Sequence, residues 1–391
     1  MQPILKSSDG GKVARLLSAA ACVISERPNR GTPHEGQRRN KGVPLDHASS
    51  IDTLEKSYFS KKFVGWGDNN IIEEKTDLES DQGDRVSFDL SVQLRGKPIK
   101  GDARAKGTEE NLLTDEVIID QMRHPVSAGG KMTRKRTAHD MRKVAKNRLG
   151  DYWAKYMDEM MFIYLSGARG INEDYIEDAD YAGHAGNPIQ APDTQHHLMA
   201  SGATKLTVVA GDKMNVAMIE AAVTRARMMR ARDPSTANMV PMTISGEDHY
   251  VAVVSPYQEH DMRTATGATG WFELQKAAAG AEGSKNRIFR GGLGMINNVI
   301  LHSHSSVIRF SDYGAAGNIA AARALFMGRQ AAVCAYGVGK GSRFSWEEDT
   351  DDFGNEPTVC AGNIVGIKKT RFNGSDFGVM ALDTAAKEPT S

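Results

Sequence analysis

Cysteine is scarce in this 391-residue sequence: Cys22, Cys334 and Cys360 are the only three, odd in number and far apart. That pattern indicates neither a disulfide framework nor a zinc ribbon, so reduced structural thiols are expected. Long hydrophobic runs are missing too. Nothing approaches the roughly eighteen consecutive apolar residues of a membrane span. Leu16 to Ile24 is too short and lacks signal-peptide flanks, which predicts an intracellular protein when made. Neither sign of charge is in excess, since 49 Lys and Arg balance 49 Asp and Glu. The hydrophobic share of 40% is ordinary for a soluble globular chain, and the length allows two or more cores. No internal repeat is visible.

Recognisable reaction chemistry is the next absence. Gly337-Val338-Gly339-Lys340-Gly341-Ser342 invites comparison with a phosphate-cradling loop, but the required first glycine falls at Cys334 and Gly341 stands where Ser or Thr should hold magnesium. Asp349, Asp351 and Gly354 echo a calcium loop, yet Phe353 takes a ligand position and Cys360 replaces the bidentate Glu. Asp349 to Glu356 therefore reads as a solvated acidic loop with at most weak cation binding. Asp352-Phe353-Gly354 lacks the other parts of a kinase site, and Ser303, Ser305 and Ser306 lack a nucleophile elbow. His302 and His304 sit near a strand end without a third metal ligand at a recognisable spacing, and His196-His197 is remote. No catalytic, cofactor or metal site is expected.

What is present is a long amphipathic stretch, Thr137 to Gly170, read as one helix on the order of 43 Å long. Apolar residues recur at three-and-four spacing, with Trp153, Tyr156 and Met160 on the core side. Arg142, Lys143, Lys146, Asp151, Lys155, Asp158 and Glu159 form the charged face. Thr137 with Asp140 resembles a capping box, Gly167 and Gly170 supply the stop, and Gly150 predicts a bend or a close contact.

Residues 1–67 are basic, rich in Gly, Pro and Ser, and read as an arm. An acidic block follows, including Asp68, Glu73, Glu74 and Asp77. Strict alternation of Val86, Phe88, Leu90 and Val92 with polar residues predicts a strand with one apolar face, and Glu116 to Met122 its hairpin mate. Two strands alone are marginal in water, so a neighbouring subunit is the expected support. A basic block then carries Lys131, Arg134, Lys135, Arg136, Arg142 and Lys143. The two blocks at the hairpin base are expected to pair between neighbouring copies, setting register more than stability.

Further on, strands are expected at Leu206 to Ala210, Met239 to Ile244, His249 to Val254, Ile296 to His302 and Val307 to Phe310. Helices are expected at Lys213 to Arg232, Trp271 to Ala279 and Ile319 to Tyr336, and closing strands at Val359 to Phe372 and Phe377 to Leu382. This irregular mixture predicts an α+β class.

The ordered series Tyr164 to Gly170, Asn286 to Phe289, Gly294 to His302, Val307 to Phe310, Ala321 to Gly328, Phe353 to Asn355 and Gly366 to Lys369 resembles the major capsid protein family of N-four-like podoviruses. The resemblance runs from about residue 60 to the C-terminus. It implies the Hong Kong 97-like phage capsid fold, with an N-terminal arm at 1–67, an extended loop at 68–135 and a peripheral domain with spine helix at 136–204. An axial domain at 205–344 and return strands of the peripheral domain at 345–391 complete it. The implied function is that of a non-enzymatic major capsid protein, self-assembling as pentamers and hexamers into an icosahedral virion shell around the double-stranded DNA of a tailed bacteriophage. Scaffolding, portal and cementing proteins are the implied partners, with non-specific DNA contact, no membrane and no cofactor. Two alternatives are a nanocompartment shell of the same fold and a soluble metal-dependent enzyme using His302 and His304.

Overall fold

The computed structural model describes residues 53, 56–78, 83–91, 112–137, 140–202, 204–232, 237–265, 292–338 and 343–389. The chain opens with α1 (Tyr58–Lys62), whose N-cap Ser57 accepts a hydrogen bond from the Ser60 amide. Next come β1 (Val64–Gly65), β2 (Ile72–Lys75), β3 (Arg85–Ser91), β4 (Leu112–Ile118), β5 (Asp120–Ser127), α2 (Lys131–Arg136) and the 26-residue α3 (Met141–Ser166). The second half holds β6 (His197–Met199), α4 (Val216–Arg232), β7 (Met242–Ile244), β8 (Glu247–Val254), α5 (Pro256–Thr264), β9 (Gly294–Ile296), β10 (Val299–Ser303) and β11 (Arg309–Tyr313). Then follow β12 (Ile319–Met327), β13 (Ala332–Tyr336), β14 (Ser345–Asp351), β15 (Glu356–Lys369), the short pair β16 (Arg371–Phe372) and β17 (Ser375–Asp376), and β18 (Val379–Ala385).

Two sheets organise these strands. The first runs β1-β2-β13-β15-β14, with β5 also on β15; the second runs β6-β18-β12-β8-β10-β9, with β11 on β12 and β7 on β8. The apolar face of α3 joins both. Trp153, Met160 and Phe162 share one buried cluster with Ile72, Cys334 and Ile367 of the first sheet and with Val251, Ile300 and Leu325 of the second. The other face of the second sheet is covered by α4, where Ile219, Val223 and Met229 meet Tyr250, Phe326 and Leu382. Mixed helices and sheets give the α+β class read from the sequence.

The stretch from Thr137 to Gly170 is not one helix. Thr137 ends α2, and Asp140 is the N-cap of α3, its carboxylate accepting from the amides of Arg142 and Lys143. Asp there favours the exposed amides of a helix start over helix interior, so apolar spacing alone overran the break. The glycine stop is as expected: Gly167 has φ 68°, and a Cβ there would lie 2.1 Å from the Gln190 carbonyl oxygen. Gly150 is buried, and a Cβ added there would meet the Thr53 hydroxyl at 3.5 Å, an ordinary van der Waals distance that requires no glycine.

Two members of the supposed charged face lie inside. Asp158 accepts from the amides of Tyr58 and Phe59 and from the Ser57 hydroxyl, fixing the start of α1. Glu159, buried, accepts from the amides of Ile176 and Glu177.

Ile319 to Tyr336 forms two strands instead of a helix. Alanine favours helix intrinsically, but β12 and β13 are almost wholly buried at sheet centres, where small apolar residues fit between packed faces. Ile296 to His302 is a tight hairpin, with Asn297 and Asn298 both left-handed at its turn. Leu206 to Ala210 contains turns but no strand, and the acidic loop is mostly β14 and its turn. The expected helix at Trp271 to Ala279 lies outside the described residues. Nor do the sheets follow the expected domain boundaries: β13, before residue 344, belongs to the first sheet, whereas β18, after 345, belongs to the second.

Candidate functional site

The hairpin is real but differently supported. β3 and β4 pair from Arg85 opposite Ile118 to Ser91 opposite Leu112, after which β5 leaves to join β15. Val86, Phe88 and Val117 are buried, packing with Val333, Ala335, Phe372 and Phe377 of the same chain, and Leu90 packs at their margin. The base of the hairpin therefore rests on its own subunit, correcting the expectation that a neighbour must cover it. A mate separated by more than two hundred residues leaves no local trace in sequence. Val92 lies outside the described residues.

The acidic block does not stand free at that base. β2 is an interior strand between β1 and β13, so its carboxylates are enclosed. Glu73 meets Lys75 Nζ at 2.7 Å and Gln330 Nε2 at 2.8 Å, and Glu74 forms a buried ion pair with Arg343. Reversing these two charges would break internal pairs, so it cannot report on contacts between copies. Asp68 and Asp77 are exposed.

The basic block finds its acidic neighbours in the β14–β15 hairpin. Arg142 pairs with Glu348, the Arg134 guanidinium donates to the Asn355 carbonyl at 3.0 Å, and the Lys131 amide donates to Asn355 Oδ1 at 3.1 Å. Lys131, Lys135, Arg136 and Lys143 remain exposed.

A second constellation went unread in the sequence. Asp383, fully buried in β18, receives Arg323 Nε at 2.7 Å and Nη2 at 2.8 Å, the Tyr313 hydroxyl, and His197 Nε2 at 2.6 Å. Arg323 Nη1 also donates to the Ser166 carbonyl at 2.9 Å, tying the last turn of α3 to the centre of the second sheet. Burial alone would raise the Asp383 carboxyl, but the Arg323 charge and hydrogen bonds hold it well below the usual range. The available signal was one charge inside each of two apolar runs, Ala320 to Met327 and Val379 to Ala386, with opposite signs.

His302 and His304 flank an aromatic cluster. His302 is buried against Phe63, and His304 sits with ring centroids 4.5 Å from Tyr58 and 5.1 Å from Phe162. Among the described residues no three His, Cys, Asp or Glu side chains gather as metal ligands. The Ser306 amide donates to His304 Nδ1 at 3.2 Å, a bond that needs an unprotonated nitrogen. Burial, reinforced by Lys62, lowers its pKa to about 4. The unfolded chain thus takes up this proton near its ordinary pKa of about 6.5, before the folded chain does. Folding stability from this group is present above that value and is lost as pH falls towards 4, by about 3 kcal/mol at most. Urea unfolding of the unassembled subunit at pH 7 and pH 4.5 is expected to show that loss, and His304→Phe to flatten it. An equally steep profile in the variant would contradict the assignment.

The profile of the phage capsid protein family matches residues 45–388. The major capsid protein of Pseudomonas phage KPP25 is 23% identical over 364 residues, covering 84% of this chain and 91% of that protein. Among solved structures, the capsid of Ralstonia phage GP4 is similar with a TM-score of 0.82 and 54% identity, over 93% of this chain and 100% of that one. The Cyanophage Pam1 capsid asymmetric unit shares the fold, with a TM-score of 0.66 and 20% identity, over 91% and 99% of the two chains.

Proposed function

Because the chain belongs to the phage capsid protein family, we propose that it builds its shell through the hairpin carried by β3 and β4. It is a major capsid protein of a tailed phage, a structural component of the icosahedral head and not an enzyme. Its fold is of the Hong Kong 97 type, it associates with copies of itself, and its place is the virion.

The observation that carries the proposal is the hairpin's register. Its base is seated on Phe372 and Phe377, and its two strands pair from Arg85 and Ile118 to Ser91 and Leu112. A foot anchored in one subunit is what an arm reaching to another requires. On this reading residues 1–67 supply the N-terminal arm, whose end, α1 and β1, packs into the body of the subunit. The first sheet with α3 makes the peripheral domain, and the second sheet with α4 and α5 makes most of the axial domain.

Pentamers and hexamers then close the shell in the host cytoplasm with scaffolding and portal proteins, a cementing protein covers the mature particle, and packaged DNA is contacted without sequence preference. The finer N-four-like podovirus assignment rests on the order of the sequence motifs, and a short tail on the parent virion tests it.

Replacing residues 92–111 by a short Asn-Gly turn tests the hairpin. The variant is expected to keep the circular dichroism and unfolding midpoint of the wild-type subunit while yielding at least tenfold fewer closed particles. Normal particle yield would defeat the proposed role.

A further inference from the structure

The turn between β14 and β15 carries Phe353, which is 106% exposed and the most exposed large apolar side chain among the described residues. Asp352, Phe353 and Gly354 have φ of 52°, 52° and 80°, a left-handed run that suits Gly and Asn far better than a bulky aromatic. The turn is nevertheless held in place. Asn355 Nδ2 donates to Asp352 Oδ2 at 2.9 Å, while the Asn355 side-chain and main-chain oxygens accept from Lys131 and Arg134. An aromatic ring fixed in water on a strained turn adds nothing to the core of its own chain, and such outliers point to a use elsewhere.

The surface beside it divides by charge. On β14, Glu347, Asp349 and Asp351 alternate onto one side of the strand, and all three are exposed without an ion-pair partner among the described residues. Among those residues β14 pairs only with β15. On α2, Lys131, Lys135 and Arg136 are likewise exposed and unpaired, and they surround Met132, itself 59% exposed. Asn355 joins the turn to the start of α2 through Lys131 and Arg134, and Glu348 of β14 pairs with Arg142 at the start of α3.

We propose that this surface is a contact between copies of the chain, with Phe353 of one copy seated on the α2 surface around Met132 of a neighbour. The acidic row on β14 then faces the neighbour's Lys131, Lys135 and Arg136. A second copy is the occupant because it presents the complementary charge and the exposed apolar seat together. Opposed rows of this kind set register and encounter rate, and the buried ring supplies the anchor. The inference rests on the shell reading above and adds to it a specific contact. It also replaces the acidic partner expected from sequence, Glu73 and Glu74, with carboxylates that solvent reaches.

Phe353→Asn is the direct test, since Asn accepts the left-handed backbone. The isolated subunit is expected to keep or raise its thermal midpoint, while the concentration for half-maximal assembly, read by light scattering, rises at least tenfold. Asp349→Lys with Asp351→Lys, and separately Lys135→Glu with Arg136→Glu, are each expected to slow assembly at low salt, and the four substitutions together to recover it. Assembly of Phe353→Asn at the wild-type concentration would overturn the inference and leave the shell reading standing. Failure of the fourfold variant to recover would overturn the charge pairing. A wild-type chain that forms no particles in the same assay would instead defeat the shell reading.

Discussion

Asp383→Ala is expected to destabilise the unassembled subunit by about 3 to 5 kcal/mol, the usual cost of leaving one member of a buried ion pair alone. Arg323 is buried, and three of its contacts in this region run to Asp383 or to Tyr313, which itself leans on Asp383. Without the carboxylate, a guanidinium would remain between two sheet strands with only the Ser166 carbonyl as a strong acceptor. Because that carbonyl belongs to the last turn of α3, the loss should reach the helix end, and amide exchange at Ile163 to Gly167 should accelerate. Replacing both partners by apolar residues, Arg323→Met with Asp383→Leu, is expected to cost much less than the single change. Equal losses for single and double variants in urea titration would show that the pair's charge is not what holds this site.

Trp153→Ala is the second large effect, about 3 to 5 kcal/mol for a truncated aromatic in a filled core. The indole is 2% exposed and packs edge-on to Tyr156, with ring centroids 5.8 Å apart, and against Phe344 at 5.7 Å. Phe344 enters from just before β14, so the indole joins the spine to a segment nearly two hundred residues later. Lys155, two positions on, is exposed and donates to the Asp174 carbonyl at the surface. Lys155→Ala is expected to cost less than about 1 kcal/mol, within the range of surface substitutions. Similar losses for both would mean that the buried face of α3 is misassigned.

The contrast between Trp153 and Lys155 marks what local pattern could deliver. The core residues of α3, its Gly167 stop and the alternation of β3 were legible because each is a spacing along the chain. Asp158 and Glu159 were not, since a carboxylate that binds the amides of another segment has the same sequence signature as one facing water. The β12 and β13 strands were hidden for a related reason: their alanines carry helix propensity, and only placement between other strands decides against it. Charge partners were the least legible. Glu74 finds Arg343 and Arg142 finds Glu348, each across more than two hundred residues. The coarser reading, a phage major capsid protein, holds despite these local misreadings, because it rested on the order of motifs such as Tyr164 to Gly170 and not on individual contacts.

The central claim, that this chain is the subunit of a closed shell, is tested most directly by electron microscopy of protein expressed with its scaffold and purified by size. Closed isometric particles of uniform diameter, with the subunit as their main component and a mass in the megadalton range by light scattering, are the expected result. A folded monomer at every concentration and salt tried, with no particles in the micrographs, would contradict it.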